Sequence, residues 1–368
     1  MSDLLYSEIE NDLRASVREV LDDKAPWTSV LAGTEKDEPY DAALWHAVAA
    51  QLGCAGLPVA EDLGGASATW RETAVVMEEL GRSAAPVPFL SSAVTATAAL
   101  MAAGERDLLA RLASGDEIAV LAVPFSTGPG DPAATVRVSD GTVTGEVTSV
   151  ADGMAAGVFL VPAAGGLYAV DAADARRTAV TSLDMTRRLA DLAFSGAPAR
   201  LVAEGTGAVR AALLTGAAML ASEQLGLAER CLDDTVAYVK TRYQFGRPVG
   251  SYQGLKHRLA DLWTSITQAR AVARHAASCV AAQAGGGGDD GGDDGGETAI
   301  SVAVAQALCS AVALKAAEEC VQMHGGIGFT WEHPAHLYLK RAKADAIALG
   351  TPDRHRAALA ALVDLPPA

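Results

Sequence analysis

The sequence predicts an α+β chain: a helical N-terminal domain over 1–115, a middle β-barrel or sandwich domain over 116–203, and a C-terminal four-helix bundle over 204–368. Three observations lead there. Apolar residues recur at helical spacing at both ends of the chain. A stretch in the middle alternates with period two around an Asp-Gly turn. Long apolar helical segments return after Gly205.

In the first part, Leu4, Leu5, Ile9, Leu13, Val17 and Leu21 share a helix face, and Pro26 ends that helix. Asp41 stands where a cap would start the next helix, and Thr69 to Leu80 reads as another amphipathic helix. Ile118 to Val123 has strand length. Thr135–Ser139, Asp140-Gly141 and Thr142–Val147 read as a hairpin, with strands at Gly157–Val161 and Gly166–Val170. Helices are expected over 207–241, 252–284, 298–324 and 333–348. The Gly/Asp segment 285–296 reads as a flexible exposed loop, because it has nothing to bury.

The chain has 368 residues, enough for more than one domain. Half of them are hydrophobic, mainly small or aliphatic, and only 5% are aromatic, which suits closely packed helices. Lys and Arg number 29 against 45 Asp and Glu, a net charge of −16 that argues against nucleic acid as a partner. The five cysteines, Cys54, Cys231, Cys279, Cys309 and Cys320, are scattered without a CxxC pair, as expected of reduced cytoplasmic thiols with no zinc signature. No signal peptide is read at the N-terminus, and the apolar run 211–220 is too short to span a bilayer. Two histidines three residues apart, His333 and His336, lack a third ligand, so no metal is expected.

Two segments carry the functional signal. One runs Arg242-Tyr243-Gln244-Phe245-Gly246-Arg247-Pro248 and on to Gln253. The other is Gln322-Met323-His324-Gly325-Gly326-Ile327-Gly328-Phe329. Arg suits a diphosphate because its donors are fixed in a fork, and glycines let a backbone approach phosphates closely. Together, and in this helix–β–helix order along the whole chain, they resemble the acyl-CoA dehydrogenase family. The resemblance implies FAD bound by Arg242, Phe245, Gln253, Gln322, Gly325, Gly326, Gly328 and Thr351, with the diphosphate residues contributed by different subunits of an oligomer. It also implies an acyl-CoA thioester as substrate, an electron-transferring flavoprotein as acceptor, and no membrane partner.

In that family a carboxylate removes the α-proton while a hydride leaves Cβ, and backbone N–H and ribityl hydroxyl groups hold the thioester oxygen. Most relatives place the Glu just before a Gly-Thr pair. Here Leu349 precedes Gly350-Thr351, leaving only its backbone N–H for the oxyanion role. A minority place the Glu after the Arg of RxxFG, where this chain has Tyr243, a weak base at neutral pH. The segment whose Trp and Thr pack on the flavin ring matches Gly145–Gly153, with Ser149 and Ala151 in their places. Asp353 and Glu223 are the first substitutes for the base, ahead of Glu332 and Asp345. A salt-bridged helix residue is the plainer role for Glu223. Arg341 and Arg354 read either as contacts to CoA phosphates or as surface charge.

Four readings follow. One is an active dehydrogenase with a displaced base, in a homotetramer. One is a non-catalytic subunit of an α2β2 heterotetramer. The others are a scaffold that has abandoned flavin and a relative with changed chemistry on an acyl thioester.

Overall fold

The computed structural model describes residues 4–130, 136–285 and 294–365. The N-terminal helices are α1 (Glu8–Lys24), α2 (Trp27–Thr34), α3 (Ala42–Trp45), α4 (Trp70–Ser83), α5 (Thr97–Ala103) and α6 (Arg106–Ala113). Two of them open on reciprocal capping boxes. The Ser7 hydroxyl accepts from the Glu10 N–H at 3.2 Å while Glu10 accepts from the Ser7 N–H at 2.7 Å, and Thr69 and Glu72 make the same exchange before α4. Asp41 caps α3 by accepting from the Leu44 N–H at 2.9 Å. π-helical turns over His46–Gln51 and Phe89–Ala96 interrupt the region, and the second is wholly buried.

The middle section is an eight-stranded sheet: β1 (Ala119–Leu121), β2 (Val136–Ser139), β3 (Thr142–Ala151), β4 (Val158–Ala163), β5 (Gly166–Asp171), β6 (Ala175–Val180), β7 (Leu189–Pro198) and β8 (Arg200–Glu204). The order is β6-β7-β3-β2-β4-β5-β8, with β1 parallel beside β4. The expected hairpin is present, with Ser139 opposite Thr142 and positive φ at both Asp140 and Gly141, as a two-residue turn requires. Thr135, placed in that hairpin from the sequence, lies outside the described residues. Every residue of β4 is buried, whereas β7 buries Ala190, Leu192 and Phe194 in alternation. Strands β6 to β8 carry too many charged or exposed positions to have been separated by pattern alone.

The chain returns to helix in α7 (Gly207–Thr241). A tight hairpin of β9 (Tyr243–Gln244) and β10 (Arg247–Pro248) leads to α8 (Gln253–Ala284), followed by α9 (Asp294–His324), α10 (Ala335–Asp345) and α11 (Pro352–Leu362). Helix α9 begins at Asp294, so the end of the expected 285–296 loop is helical; residues 286–293 lie outside the described residues. Helix α10 stops at Asp345, short of the expected 348, and α11 was not foreseen. Thr351 caps α11 and Pro352 occupies its first turn.

Helices α4 and α7 cross at two glycines. A Cβ on Gly81 would stand 2.0 Å from the Glu223 carbonyl oxygen, and one on Gly226 would stand 1.8 Å from that of Glu78. No side chain fits either position without backbone movement, so this crossing sets how the N-terminal helices sit on the bundle. By length and composition, α7 and the run Gly296–Phe329 could each cross a membrane. The most apolar window of α7, however, is 89% buried within the protein, as expected of a core helix.

Candidate functional site

The end of α7 and the end of α9 come together at one end of the bundle. Tyr238, one turn before Arg242, lies against His324, which in turn lies against His333, with ring centroids 4.4 and 4.1 Å apart. Burial drives the pKa of His333 down to about 4, and the charge of His324 adds to this, so His333 stays neutral beside its neighbour. The Phe245-Gly246 turn has positive φ at both residues and holds the Phe245 ring outward, 92% exposed. Arg242, Gln253 and Gln322 are exposed beside it. In the second segment Gly325 has φ +63°, the backbone around Gly326 is open, and a Cβ on Gly328 would meet the Val321 carbonyl oxygen at 2.6 Å. Phe329 and Trp331 are exposed as well. The result is a surface of open backbone, donors and uncovered aromatic rings. Its chemistry suits a diphosphate and a second protein surface.

A cleft with about 380 Å³ of empty space, including open solvent at its mouth, lies between the sheet and the helices. Ser91 and Thr95 of the second π-helical turn line it, with Leu121, Phe125, Ala151 and Leu349. Leu349 has φ +51° and its side chain is buried in this wall. Its N–H, expected to be available to a thioester oxygen, instead donates to the Phe125 carbonyl at 2.8 Å. The Phe125 N–H donates to the Ser149 carbonyl at 2.9 Å. The Phe125 backbone is thus bonded on one side to β3 and on the other to the turn before α11. That turn closes further where Gly128 meets it, a Cβ on Gly128 reaching the Leu349 carbonyl oxygen at 3.4 Å. The donor that the resemblance gives to the oxyanion role is thus engaged by a backbone partner in this structure.

Behind this wall lies a fully buried ionic cluster. Arg187, on the turn between β6 and β7, donates to both oxygens of Glu223 at 2.8 and 2.6 Å and to Asp345 at 2.7 Å. Arg341 of α10 pairs with Glu223 at 2.5 Å and with Asp184 at 2.7 Å, and donates to Thr186 at 2.6 Å. Asp152, which accepts from the Ser91 hydroxyl at 2.5 Å, completes a set of four carboxylates facing two guanidiniums. Burial raises the pKa of Glu223, but Arg187 and Arg341 outweigh it and hold this carboxyl below the ordinary range. Burial, then the Glu223 charge, push Asp345 up to about 8 despite Arg187, and burial pushes Asp152 up to about 6.

A carboxyl with a raised folded pKa adds stability at low pH that is lost as pH rises toward that pKa. Replacing Asp345 with Asn is therefore expected to raise the unfolding midpoint relative to wild type more at pH about 8 than at about 5. Thermal unfolding across that range checks it; a difference that stays constant with pH would contradict the assignment.

Each expected base is now placed. Glu223 is committed to two arginines, so the plainer role anticipated for it is the one it has. Asp353 is 92% exposed, pairs with Arg356 at 2.7 Å and does not line the cleft. Tyr243 is 64% exposed in the β9–β10 hairpin, at the diphosphate end. Glu332 is exposed in a turn. Asp345 is sealed in the ionic cluster. Arg341 is also corrected: it is 2% exposed, neither surface charge nor a contact for a CoA phosphate. Thr351 spends its hydroxyl on the Arg354 N–H at 3.3 Å. The sequence reading missed Arg187, Asp184 and Asp152. One signal was present, Glu223 inside the Ala/Leu-rich stretch of α7, but its partners Arg187 and Arg341 lie 36 and 118 positions away.

Helices precede and follow an eight-stranded sheet, and an exposed surface whose chemistry suits a diphosphate lies at one bundle end. Comparison with known proteins supplies the family. The family models for the acyl-CoA dehydrogenase N-terminal and C-terminal domains match residues 7–116 and 203–363. The chain is 34% identical over 346 residues to acyl-CoA dehydrogenase IpdE2 of Mycolicibacterium smegmatis, covering 94% of this chain and 96% of the relative. It is 36% identical over 342 residues to the protein of the same name from Mycobacterium tuberculosis, covering 92% of each. Among solved structures, the ChsE4-ChsE5 complex from Mycobacterium tuberculosis superposes with a TM-score of 0.87 at 27% identity, covering 100% of both chains. The Tcur3481-Tcur3483 steroid acyl-CoA dehydrogenase variant gives 0.82 at 29% identity, covering 97% of this chain and 98% of the other. The chain belongs to the acyl-CoA dehydrogenase family, FAD-dependent enzymes that oxidise acyl-CoA thioesters.

The residues present fit one end of that cofactor. Arg242 and the open Gly325–Gly328 turn suit the diphosphate. At the place the resemblance gives to the ring, Ser149 and Ala151 offer no aromatic face, and the Phe125 and Leu349 backbones are bonded to each other in the cleft wall.

Proposed function

We propose that this chain is the non-catalytic subunit of a heteromeric acyl-CoA dehydrogenase. In this reading it lends Arg242, Phe245, Gln253 and the Gln322–Gly328 turn to FAD held jointly with a homologous subunit, and that subunit carries the base. The observation behind it is the hydrogen bond from the Leu349 N–H to the Phe125 carbonyl at 2.8 Å, at the position where a base and an oxyanion donor would both be needed. No other acid described here reaches the cleft as a free carboxylate: Asp152 is tied to Ser91, and Glu223 and Asp345 are tied to arginine.

The reaction proposed for the assembly is α,β-desaturation, in which the partner's carboxylate would take the α-proton and FAD, when bound, would supply the hydride acceptor. This chain's part is to hold the diphosphate, cover its outward rings against the partner, and brace the partner's site. The two solved relatives are each named as a pairing of two proteins, which supports the heteromeric reading, and one is named for a steroid substrate. A bulky, polycyclic acyl-CoA is accordingly the substrate class proposed. An electron-transferring flavoprotein is the proposed acceptor and the cytoplasm the proposed location.

The test is expression of the chain alone and together with a homologue that carries the Glu. Each preparation is examined for flavin, then mixed anaerobically with a panel of acyl-CoA thioesters. Flavin bleaching only in the co-expressed complex is the expected result. Bleaching by the isolated chain would overturn the proposal in favour of an active enzyme with a displaced base.

A further inference from the structure

Far from the flavin turn, His275 and Cys279 of α8 and Glu297 in the first turns of α9 bring an imidazole, a thiol and a carboxylate together. One ligand atom from each lies within 4.8 Å of the others. His275 and Cys279 are four residues apart on one helix, so their side chains share a face. The His275 Nε2 to Cys279 Sγ distance is 3.6 Å. A tetrahedral zinc with bonds of ~2.3 Å to sulfur and ~2.0–2.1 Å to nitrogen holds those two atoms about 3.6 Å apart. The pair thus already stands at the separation a shared zinc would impose. Glu297 is exposed, with a carboxylate oxygen within 4.8 Å of both other ligand atoms.

We propose that His275, Cys279 and Glu297 form a binding site for a zinc-class divalent ion, with water as the fourth ligand. The mixed sulfur, nitrogen and oxygen set suits zinc among abundant ions, because calcium and magnesium take oxygen ligands alone. On binding, the Cys279 thiol gives up its proton to solvent and the thiolate takes the metal, with no change of oxidation state. Ser301, whose hydroxyl is 3.4 Å from the Cys279 sulfur, stands ready to hydrogen-bond the thiolate.

The site's role is structural. Twenty-seven residues of α9 separate Glu297 from His324, about 40 Å at 1.5 Å per residue, so the metal is remote from the flavin surface. It cross-links α8 to α9, which flank the Gly/Asp segment in the sequence. Sequence spacing did not reveal it, because the third ligand follows that segment and only the helix pairing brings it back.

The experiment titrates the tag-free, metal-free chain with Co2+. Near-ultraviolet thiolate-to-cobalt absorption with visible bands of tetrahedral intensity is expected at one equivalent. Cys279→Ser should abolish the former, and Glu297→Gln should weaken affinity by ~10-fold or more. Cys279 is half-buried whereas Cys54, Cys231, Cys309 and Cys320 are buried, so a thiol reagent should label one cysteine of the native chain. Zinc at one equivalent should slow that labelling ~10-fold or more. Absence of the cobalt bands, or their persistence in Cys279→Ser, overturns the proposal, as does labelling indifferent to zinc. Neither readout depends on flavin or on a partner subunit, so this test stands or falls apart from the functional reading.

Discussion

Replacing Arg341 with Met is expected to destabilise the chain by about 3–5 kcal/mol, because it strands Glu223 and Asp184 in a buried site with one guanidinium between four carboxylates. Arg341 is among the most buried large side chains in the protein, and Met is shorter but similar in volume, so lost packing contributes less than lost charge. The cost arises from charge. Arg341 pairs with Glu223 at 2.5 Å and Asp184 at 2.7 Å, and both carboxylates are buried away from bulk solvent. Arg341→Lys keeps the charge but cannot reach Asp184, Thr186 and Glu223 together, so it should recover only part of the loss. Denaturant unfolding of the three proteins measures this. A cost for Met no larger than that of a surface substitution would show that the cluster does not hold the sheet to the bundle.

Replacing Arg242 with Ala is expected to weaken flavin retention by the co-expressed complex by roughly 10–100-fold, the loss of a charge-assisted contact worth about 1.5–3 kcal/mol. Arg242 is exposed at the end of α7, so the unfolding midpoint of the isolated chain should hardly move. The combination separates a ligand contact from a structural one. Flavin content after gel filtration, measured against the unfolding midpoint, checks it. If the complex keeps its flavin, the diphosphate lies on other residues and the joint site proposed here is wrong.

Much of the fold was legible from local signals. Thr69 with Glu72, Asp41, and the Asp140-Gly141 turn each act within four residues, so their chemistry is written in adjacent letters. The two segments proposed for the diphosphate were visible in the sequence for the same reason: each is a short local motif of residue types that suit close approach to phosphate. Strands β6 to β8 were harder, since β6 and β8 are largely exposed and lack the alternation that marks a half-buried strand. Helix α11 was hidden by its small and charged residues, only one of which is buried.

The site followed the same division. That Leu349 and Tyr243 occupy the positions where the family resemblance expects a carboxylate is read from residue identity alone. The fate of the remaining acids was decided by packing. Glu223 is an ion-pair partner, Asp345 a sealed carboxyl and Asp353 a surface charge because of where α7, α10, α11 and the β6–β7 turn meet. The donor expected at Leu349 is consumed by Phe125, 224 positions earlier. Residue chemistry is a local property that a sequence displays directly. Burial and pairing depend on contacts between residues far apart in the chain, and only the folded arrangement of helices against sheet specifies those.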